Sequence, residues 1–426
     1  MRVLVAGATG FIGSAVTSRL AFDGHQVVSV SRGSSPPGTV SHHPIDMTRA
    51  SPANWKAALE SVDAVVNCAG AFQSGAGDDL VGVHVAGAKA LFDACEQNRV
   101  RRVIHVSAAG IDRGAPTEFS KTKREGERDL MRRDLDWAVL RPGVVIGHGV
   151  YGGSALIRGL ASLPVLPVLP GAGPVQVIHL QDLIETILFL LSPGAPSKIA
   201  IDVLGPKRWR FEEIVRAFRQ WMRWPIARTF NVPGWAARLV YCAGDVAHAL
   251  GWRTPVTGTA RREMIRGATG DPVPWQKATG IHARDIEMTL LRDPASVQER
   301  WFARLYVLKP LVFGVFGIFW IATGLISLGP GYEYGMSLLR EGGLPETFGT
   351  ATLVAGALAD IAIGCAILYR PLSRYGLYAA LVISLVYVVI GTILVPRLWV
   401  DPLGPMLKIW PVLVLNLVAL AIREDR

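Results

Sequence analysis

The sequence predicts a doubly wound parallel α/β sheet with a small helical lobe, followed by an all-α membrane domain. Three observations lead there. The chain opens on an apolar strand that runs into a glycine turn and then an apolar-periodic helix. Further short apolar strands, each ending in small or polar residues, follow at intervals. Toward the C-terminus come long runs without charge, each long enough to cross a bilayer as a helix, which takes about 20 residues.

The opening strand, from Met1 to Ala6, leads into Gly7-Ala8-Thr9-Gly10-Phe11-Ile12-Gly13. In a dinucleotide-binding turn of this kind the first two glycines allow a tight bend and close approach of backbone to a pyrophosphate. The third lets helix pack on strand, and the helix N-terminus faces the anion. Gly7, Thr9, Gly10, Phe11, Ile12 and Gly13 are therefore the expected cofactor contacts of a Rossmann-type domain.

Gln26 to Ser31 reads as the second strand, and Arg32 follows it. A site that selects NAD(H) places a carboxylate near the end of this strand for the ribose 2′-hydroxyl. Here Ser31 and Arg32 offer a hydroxyl and a permanent cation, which suit a 2′-phosphate, so NADP(H) is favoured over NAD(H). Asp46 is placed to face the adenine. Asp63 to Gly70 reads as a strand ending in a small-residue turn, where Ala69 and Gly70 let backbone approach the cofactor. Arg101 to Ser107 is the next strand, with Ser107 at its carboxyl end, where ligands of such sheets bind. Asp136 to Arg141 is another, closed by Pro142 and Gly143.

Taken together, the glycine turn, Ser31-Arg32, Asn67-Cys68-Ala69-Gly70, Val106-Ser107, Lys123 with Glu125 and Glu127, and Leu140-Arg141-Pro142-Gly143 resemble an atypical extended short-chain dehydrogenase/reductase. The subgroup is the one containing the NADPH-binding accessory subunit of respiratory complex I. The resemblance covers roughly residues 1–300, and the C-terminal region resembles a DoxX-like membrane domain. It implies a Rossmann domain (1–204), a basic helical substrate lobe (205–302) and a four-span membrane domain (303–426). The DoxX-like resemblance also suggests a link to quinone (ubiquinone) and sulfur redox systems.

The active enzymes of that family carry Tyr-x-x-x-Lys on one helix. The tyrosine exchanges a proton with the substrate, and the lysine lowers its pKa and holds the nicotinamide ribose. Alignment on Lys123 puts Phe119 at the tyrosine position, and phenylalanine has no proton to give. No tyrosine lies between Gly70 and Tyr151 to take its place. Lys123, Ser107 and Tyr151 are the catalytic candidates that remain. His148 and His179 can also be considered as acids, although each reads equally as a packing or surface residue. Three readings stay open: an oxidoreductase acting on a lipophilic substrate such as a quinone or isoprenoid intermediate; a non-catalytic NADPH-binding scaffold, assembly factor or sensor; and a membrane assembly or transport module whose Rossmann half is regulatory, for which Asp360 is the support.

Pro310 to Tyr332 and Tyr375 to Pro396 contain no charged side chain, and Thr347 to Tyr369 contains only Asp360. Ile409 to Ile422, with Lys408 and Arg423 able to snorkel at its ends, reads as a fourth span. An intramembrane carboxylate such as Asp360 is costly and suggests a proton site or a polar contact for a quinone head, or else a bond to a neighbouring helix. Arg300, Arg304 and Lys309 precede the first span, Arg370 and Arg374 separate the second from the third, and Arg423 and Arg426 close the chain. By the positive-inside rule both termini and the Rossmann domain are cytoplasmic, at an inner or plasma membrane. The segment around Arg397, Asp401 and Lys408 fits that rule poorly. No secretory signal is expected, because the N-terminus is already a strand and a glycine turn.

The net charge is +10, and half of the residues are hydrophobic. Gly205 to Lys309 holds eighteen Lys or Arg against nine Asp or Glu, so nearly all of the excess lies just before the first span. That placement fits attraction to anionic lipid and removes the need for a nucleic-acid partner. Membrane lipid and a membrane redox complex are the expected partners. The four cysteines, Cys68, Cys95, Cys242 and Cys365, are scattered, so neither a disulfide framework nor a metal site is expected. Phe211 to Trp224 has one apolar face, with arginines largely elsewhere. It suits either a helix packed on the lobe or one lying on a membrane. Trp235, Trp252, Trp275 and Trp301 add to the reading of an apolar lobe near lipid. Leu163 to Pro174 reads as a loop bordering the substrate opening.

Overall fold

The computed structural model describes residues 1–75, 79–114, 116–168 and 171–423. Arg426 and the Leu169-Pro170 part of the predicted loop lie outside them. The chain divides into two units. One comprises residues 1–246 and 254–303, the other 247–253 and 304–426.

The first unit is built on β1 (Arg2–Ala6), β2 (Gln26–Val30), β3 (Ser41–His43), β4 (Ala64–Asn67), β5 (Arg102–Val106) and β6 (Asp136–Pro142). Three short strands follow, β7 (Val144–Ile146), β8 (Val165–Val168) and β9 (Val175–His179), then β10 (Ile199–Val203), β11 (Arg208–Trp209) and β12 (Arg228–Asn231). The main sheet has seven strands, all parallel, in the order β10-β6-β5-β4-β1-β2-β3. The direction of winding reverses between β1 and β4, and a ligand crevice opens at the carboxyl ends there. The edge strands β3 and β10 were not predicted.

Alternation in β1 sends Val3 and Val5 to one face and Leu4 and Ala6 to the other, and both faces are covered. Val3, Val5, Ile104 and Leu140 pack with helix Leu180–Leu191. Leu4, Val65, Val103 and Val139 pack with Trp55 and helix Ala88–Gln97. Trp275, expected near lipid, is fully buried in the first of these cores, and its indole N–H donates to Thr186 Oγ1 at 3.0 Å.

Residues 205–302 belong to this same unit except for Ala247–Arg253. Helix Phe211–Trp221 uses its apolar face for packing, since Ile214, Val215, Phe218 and the following Met222 are buried with Leu166, Val177 and Trp209. Arg219 is also buried there, and its guanidinium donates to the carbonyls of Ala161, Leu163 and Pro225.

The second unit contains three helices long and apolar enough to cross a membrane: Val297–Leu328 (whose first turns belong to the other unit), Glu346–Leu368 and Ser373–Leu394. They match the three uncharged runs within a few residues, apart from the extended start of the first. The fourth predicted span is a helix of 13 residues, Ile409–Ala421. At about 1.5 Å per residue it is roughly 20 Å long, short of the ~30 Å hydrocarbon core. Gly404 and Pro405 lie in the turns before it. An additional helix, Tyr332–Glu341, lies between the first two long ones.

Small residues set the packing of these helices. A Cβ on Gly364 would lie 2.6 Å from the Gly317 carbonyl oxygen, and one on Gly324 would lie 2.4 Å from that of Ala357. Such close approach of backbones is how helices associate where no hydrophobic effect drives them together. Asp360 is buried, and the Tyr387 hydroxyl donates to its Oδ1 at 2.9 Å. The Asn416 amide donates to the Leu377 carbonyl at 3.1 Å.

The charged ends of the unit segregate. Lys309 Nζ and Arg370 Nη2 both donate to the Arg423 carbonyl, at 3.2 and 3.0 Å. Arg397 instead pairs with Glu341. That partner accounts for its poor fit to the charge rule, because the pair joins the segments after the first and third long helices.

Gly364→Ala should destabilise this unit by about 1–3 kcal/mol through overpacking. Gly314→Ala, whose new Cβ meets nothing within 4 Å, should be neutral or slightly stabilising. Thermal unfolding of both variants in mild detergent checks the contrast, and equal midpoints would rule out the glycine contact as the packing determinant.

Candidate functional site

The glycine turn follows directly from β1. Gly7 has a φ of +74°, which favours glycine, and its Cβ would stand 2.8 Å from the backbone of Ala69 beyond β4. A Cβ on Gly13 would stand 2.1 Å from the Gly7 carbonyl oxygen. The turn is held by Gly7 N–H and Ala8 N–H donating to Val30 O at 2.9 and 3.2 Å, and by Gly10 N–H donating to Gly7 O at 2.9 Å. Helix Phe11–Phe22 begins there with Gly10 as its N-cap, no side-chain cap bond and no acidic residue in its first turn. Its first N–H groups and the positive end of its dipole therefore favour an anion in the crevice. Gly10, Phe11 and Ile12 line this start with Thr9, all half-buried.

Ser31 lies at the end of β2, buried, and its hydroxyl has no hydrogen-bond partner. Arg32 beside it is exposed. Ser107, at the end of β5, is also buried with an unpartnered hydroxyl. Buried polar atoms rarely stay unpaired in a finished structure. Two of them at the carboxyl ends of a parallel sheet, beside a glycine turn that would be filled by any Cβ, fit a dinucleotide. Asp46 instead caps the short turn Met47–Arg49, accepting from Thr48 N–H at 3.1 Å and from Thr48 Oγ1 at 2.9 Å. Pro142 carbonyl accepts from Ala109 N–H at 2.9 Å and ties the loop after Ser107 to β6.

Helix Glu118–Met131 carries Lys123 into the crevice. Thr117 caps it in a reciprocal arrangement with Ser120 and is held by Glu263. Lys123 is buried, Nζ donates to Val106 O at 3.0 Å, and a Cβ on Gly70 would lie 3.3 Å from that Nζ. Burial pushes its pKa down from 10.5 to about 8, and the nearby Glu127 opposes that fall. Glu127 is itself buried and bonded to Arg141 at 2.6 Å.

One turn before Lys123, Phe119 is half-buried. Its ring lies 5.1 Å from that of Phe72 and 5.8 Å, edge-on, from that of His84. His84 was not among the expected residues. It sits in a π-helical segment, Gly82–Gly87, a distortion often found at functional sites. Its Nε2 accepts from Ala71 N–H at 3.1 Å, so Nδ1 carries the proton and donates to Thr122 Oγ1 at 2.9 Å. Burial lowers its pKa to about 2, with Lys123 adding to the effect. His105 is neutral for the same reason, at about 3, with Nδ1 accepting from the Asn67 amide at 3.1 Å. The one available sequence signal for His84 is a histidine between glycines, facing Gly126, whose Cβ would strike the His84 carbonyl at 2.3 Å.

The other acid candidates are Tyr151, His148 and His179. Tyr151 is exposed, and its backbone N–H and carbonyl bond the Ser154 hydroxyl. The loop bearing it touches the cofactor turn at Gly149, where a Cβ would meet the Phe11 ring at 2.9 Å. His148 is exposed, 3.9 Å from Asp293. His179 caps helix Leu180–Leu191 through a bond from Gln181 N–H to Nδ1 at 3.2 Å. His148 and His179 line a cleft with Phe218, Trp221 and Leu290, walled by the buried Arg158. The guanidinium of Arg158 lies 5.1 Å from the centre of the Phe218 ring. No group of His, Cys, Asp and Glu suited to a metal occurs among the described residues.

This geometry is that of a Rossmann-type fold with a crevice suited to a dinucleotide. Comparison agrees: residues 7–153 match the NAD(P)H-binding family model, and residues 317–417 match the DoxX-like family model. The chain thus joins an NAD(P)-binding domain to a DoxX-like helical domain. An uncharacterized protein of Mycobacterium tuberculosis is 26% identical over 219 residues, which is 51% of this chain and 23% of that protein. One of Mycobacterium bovis matches to the same extent. The match covers under a quarter of the length of these curated relatives. Among solved structures, MoeE5 in complex with UDP-glucose and NAD aligns with a TM-score of 0.55 at 20% identity, over 72% of this chain and 100% of that one. WbmG of Bordetella bronchiseptica in complex with NAD gives 0.52 at 18%, over 68% and 92%. The UDP-glucuronic acid 4-epimerase of Bacillus cereus gives 0.53 at 16%, over 72% and 100%. At these identities the likeness is one of fold.

Protonation of His84 and His105 should couple to unfolding. Each has a folded pKa below the unfolded value of about 6.5, so their contribution is complete above about pH 6.5 and is lost as pH falls toward about 3. His84→Gln keeps one donor and one acceptor but does not titrate. It should flatten the fall in unfolding midpoint between pH 6.5 and 4, and a profile identical to wild type would show that His84 is not the coupled group.

Proposed function

We propose that the protein is a membrane-tethered NADP(H)-dependent oxidoreductase acting on a lipophilic substrate such as a quinone or an isoprenoid intermediate. The observation that carries this reading is that Lys123, buried and bonded to the Val106 carbonyl, and the buried Ser107, which follows Val106 in the chain, both stand at the carboxyl end of β5, in a fold with an intact glycine turn. Keeping an ammonium and an unpartnered hydroxyl out of water is costly, and a bound dinucleotide and substrate would offset the cost. NADP(H), when bound, supplies or accepts the hydride.

The rest belongs to this chain. The first turn of helix Phe11–Phe22 would hold the pyrophosphate, and Ser31 with Arg32 the 2′-phosphate. Lys123 would hold ribose hydroxyls. Because Phe119 has no proton to give, Lys123 is also the titratable group that supplies one to the reduced oxygen, and a pKa of about 8 suits proton transfer near neutrality. The rings of Phe72 and Phe119 make this edge of the crevice apolar, which favours a lipophilic acceptor. The Rossmann domain and both termini lie on the cytoplasmic face in this reading, and the helical domain delivers the substrate or docks a membrane redox complex.

Phe119 also supports a second reading. Its ring fills the acid's place against Phe72 and His84, as suits an NADPH-binding scaffold, assembly factor or sensor.

Protein purified in mild detergent separates the two: the bound dinucleotide is released and identified, and its exchange with labelled NADPH is timed. The oxidoreductase reading expects NADPH exchanging within seconds and oxidised when a short-chain quinone is added, with Lys123→Met losing the oxidation. NADPH retained for hours, without turnover, favours the scaffold. Absence of any dinucleotide, with no binding of added NADPH, overturns both. Arg32→Asp should weaken NADPH relative to NADH by roughly ten- to a hundredfold, the worth of a charge-assisted hydrogen bond. An unchanged ratio, read by titration of each dinucleotide, would remove Arg32 from the phosphate site.

A further inference from the structure

Helix Gly234–Ala249 is apolar on two opposite sides. Ala237, Tyr241 and Gly244 form its buried side. Trp235, Leu239, Cys242 and Val246 recur at i, i+4, i+7 and i+11, and all four are exposed, Trp235 at 69% and Leu239 at 62%. At 3.6 residues per turn these four lie within a sector of about 60° on the side facing away from the packing. A surface helix of a soluble domain shows charge there. This one has Arg238 and Asp245 at one margin of the stripe and a run of small or apolar residues elsewhere. The strand just before it, β12, is exposed along its length and offers Phe230 with Arg228.

Two further observations say what covers the stripe. First, the segment Gly205 to Lys309 carries a net charge of +9 by count, which selects an anionic surface over a neutral one. Second, the helix continues, with no linker, into Ala247–Arg253, which belongs to the helical unit. There the Trp252 indole N–H donates to Leu368 O at 2.7 Å, and Arg370 N–H donates to Leu250 O at 2.9 Å. Arg370 lies over the Trp252 ring at 5.3 Å. Leu368 ends the second long helix, and Arg370 shares the Arg423 carbonyl with Lys309. Within the helical unit, Ala247–Arg253 is therefore held beside the basic residues Lys309 and Arg370.

We propose that helix Gly234–Ala249 is an interfacial helix: its outer stripe of Trp235, Leu239, Cys242 and Val246 is inserted at the headgroup–acyl boundary of an anionic bilayer, with Arg228 and Arg238 on lipid phosphates. Tryptophan and arginine are the residues such a position selects. The proposal rests on the membrane reading of the helical unit and is independent of whether the crevice is catalytic.

Cys242 gives the test. The full chain, as Cys365→Ser, is spin-labelled at Cys242 and reconstituted in nanodiscs of phosphatidylcholine with phosphatidylglycerol. Accessibility to oxygen is compared with accessibility to a water-soluble nickel chelate. The expected result is an oxygen-to-nickel ratio several-fold above that of a label on Asp245→Cys, falling when phosphatidylglycerol is omitted or Leu239→Asp is introduced. A ratio as low as that of the Asp245→Cys label overturns the proposal. So does nickel protection that persists in detergent with short label-to-label distances, which means the stripe meets a second copy. The native Cys365, labelled in a Cys242→Ser chain, is the control: it lies within helix Glu346–Leu368 and must read as immersed, and if it does not, the membrane reading itself fails.

Discussion

The crevice depends on how closely backbone approaches backbone at the glycine turn. Gly13 brings the first helix against the Gly7 carbonyl, and Gly7, with its positive φ, brings the turn against Ala69. These two contacts aim the helix N-terminus at the point where the sheet reverses direction, and they leave room there for a pyrophosphate. Residues from five other segments then lie at the same end of the sheet: Ser31, Gly70, His84, Ser107 and Lys123.

Electrostatics in that crevice turn on burial. Lys123 is held by one carbonyl and by the more distant Glu127, while His84 and His105 stay neutral beside it. A buried ammonium beside neutral histidines favours an anionic ligand. Phe119, one turn before Lys123, has no proton to give. For that reason the binding chemistry reads more clearly than the catalytic chemistry.

The helical unit follows different rules. Without water to drive association, its helices meet through glycine and alanine, and its polar side chains bond one another, as Tyr387 does with Asp360. Two of its basic residues, Lys309 and Arg370, meet at the Arg423 carbonyl, while Arg397 pairs with Glu341. The bond to Tyr387 matches the expectation that Asp360 joins neighbouring helices.

Features set by local chain chemistry were legible in the sequence. The glycine turn, strands β1, β2, β4, β5 and β6, and the three long spans followed from spacing, periodicity and run length, which act within a few residues. The absence of an acid at Phe119 was equally plain. Tertiary structure decided what depends on groups distant in the chain. His84 acquires its role from Thr122 and Gly126 on another helix, and its isolated position gave no periodic signal. The short strands β3 and β10 exist because a sheet edge was there to receive them. Trp275 moved from expected lipid contact to the core because Thr186 and the sheet face cover it. The last helix, Ile409–Ala421, follows the short apolar run read from the sequence, and at 13 residues it is shorter than the other three. Helix Gly234–Ala249 has an apolar pattern on both sides, and only packing could show which side the protein buries and which it leaves for lipid.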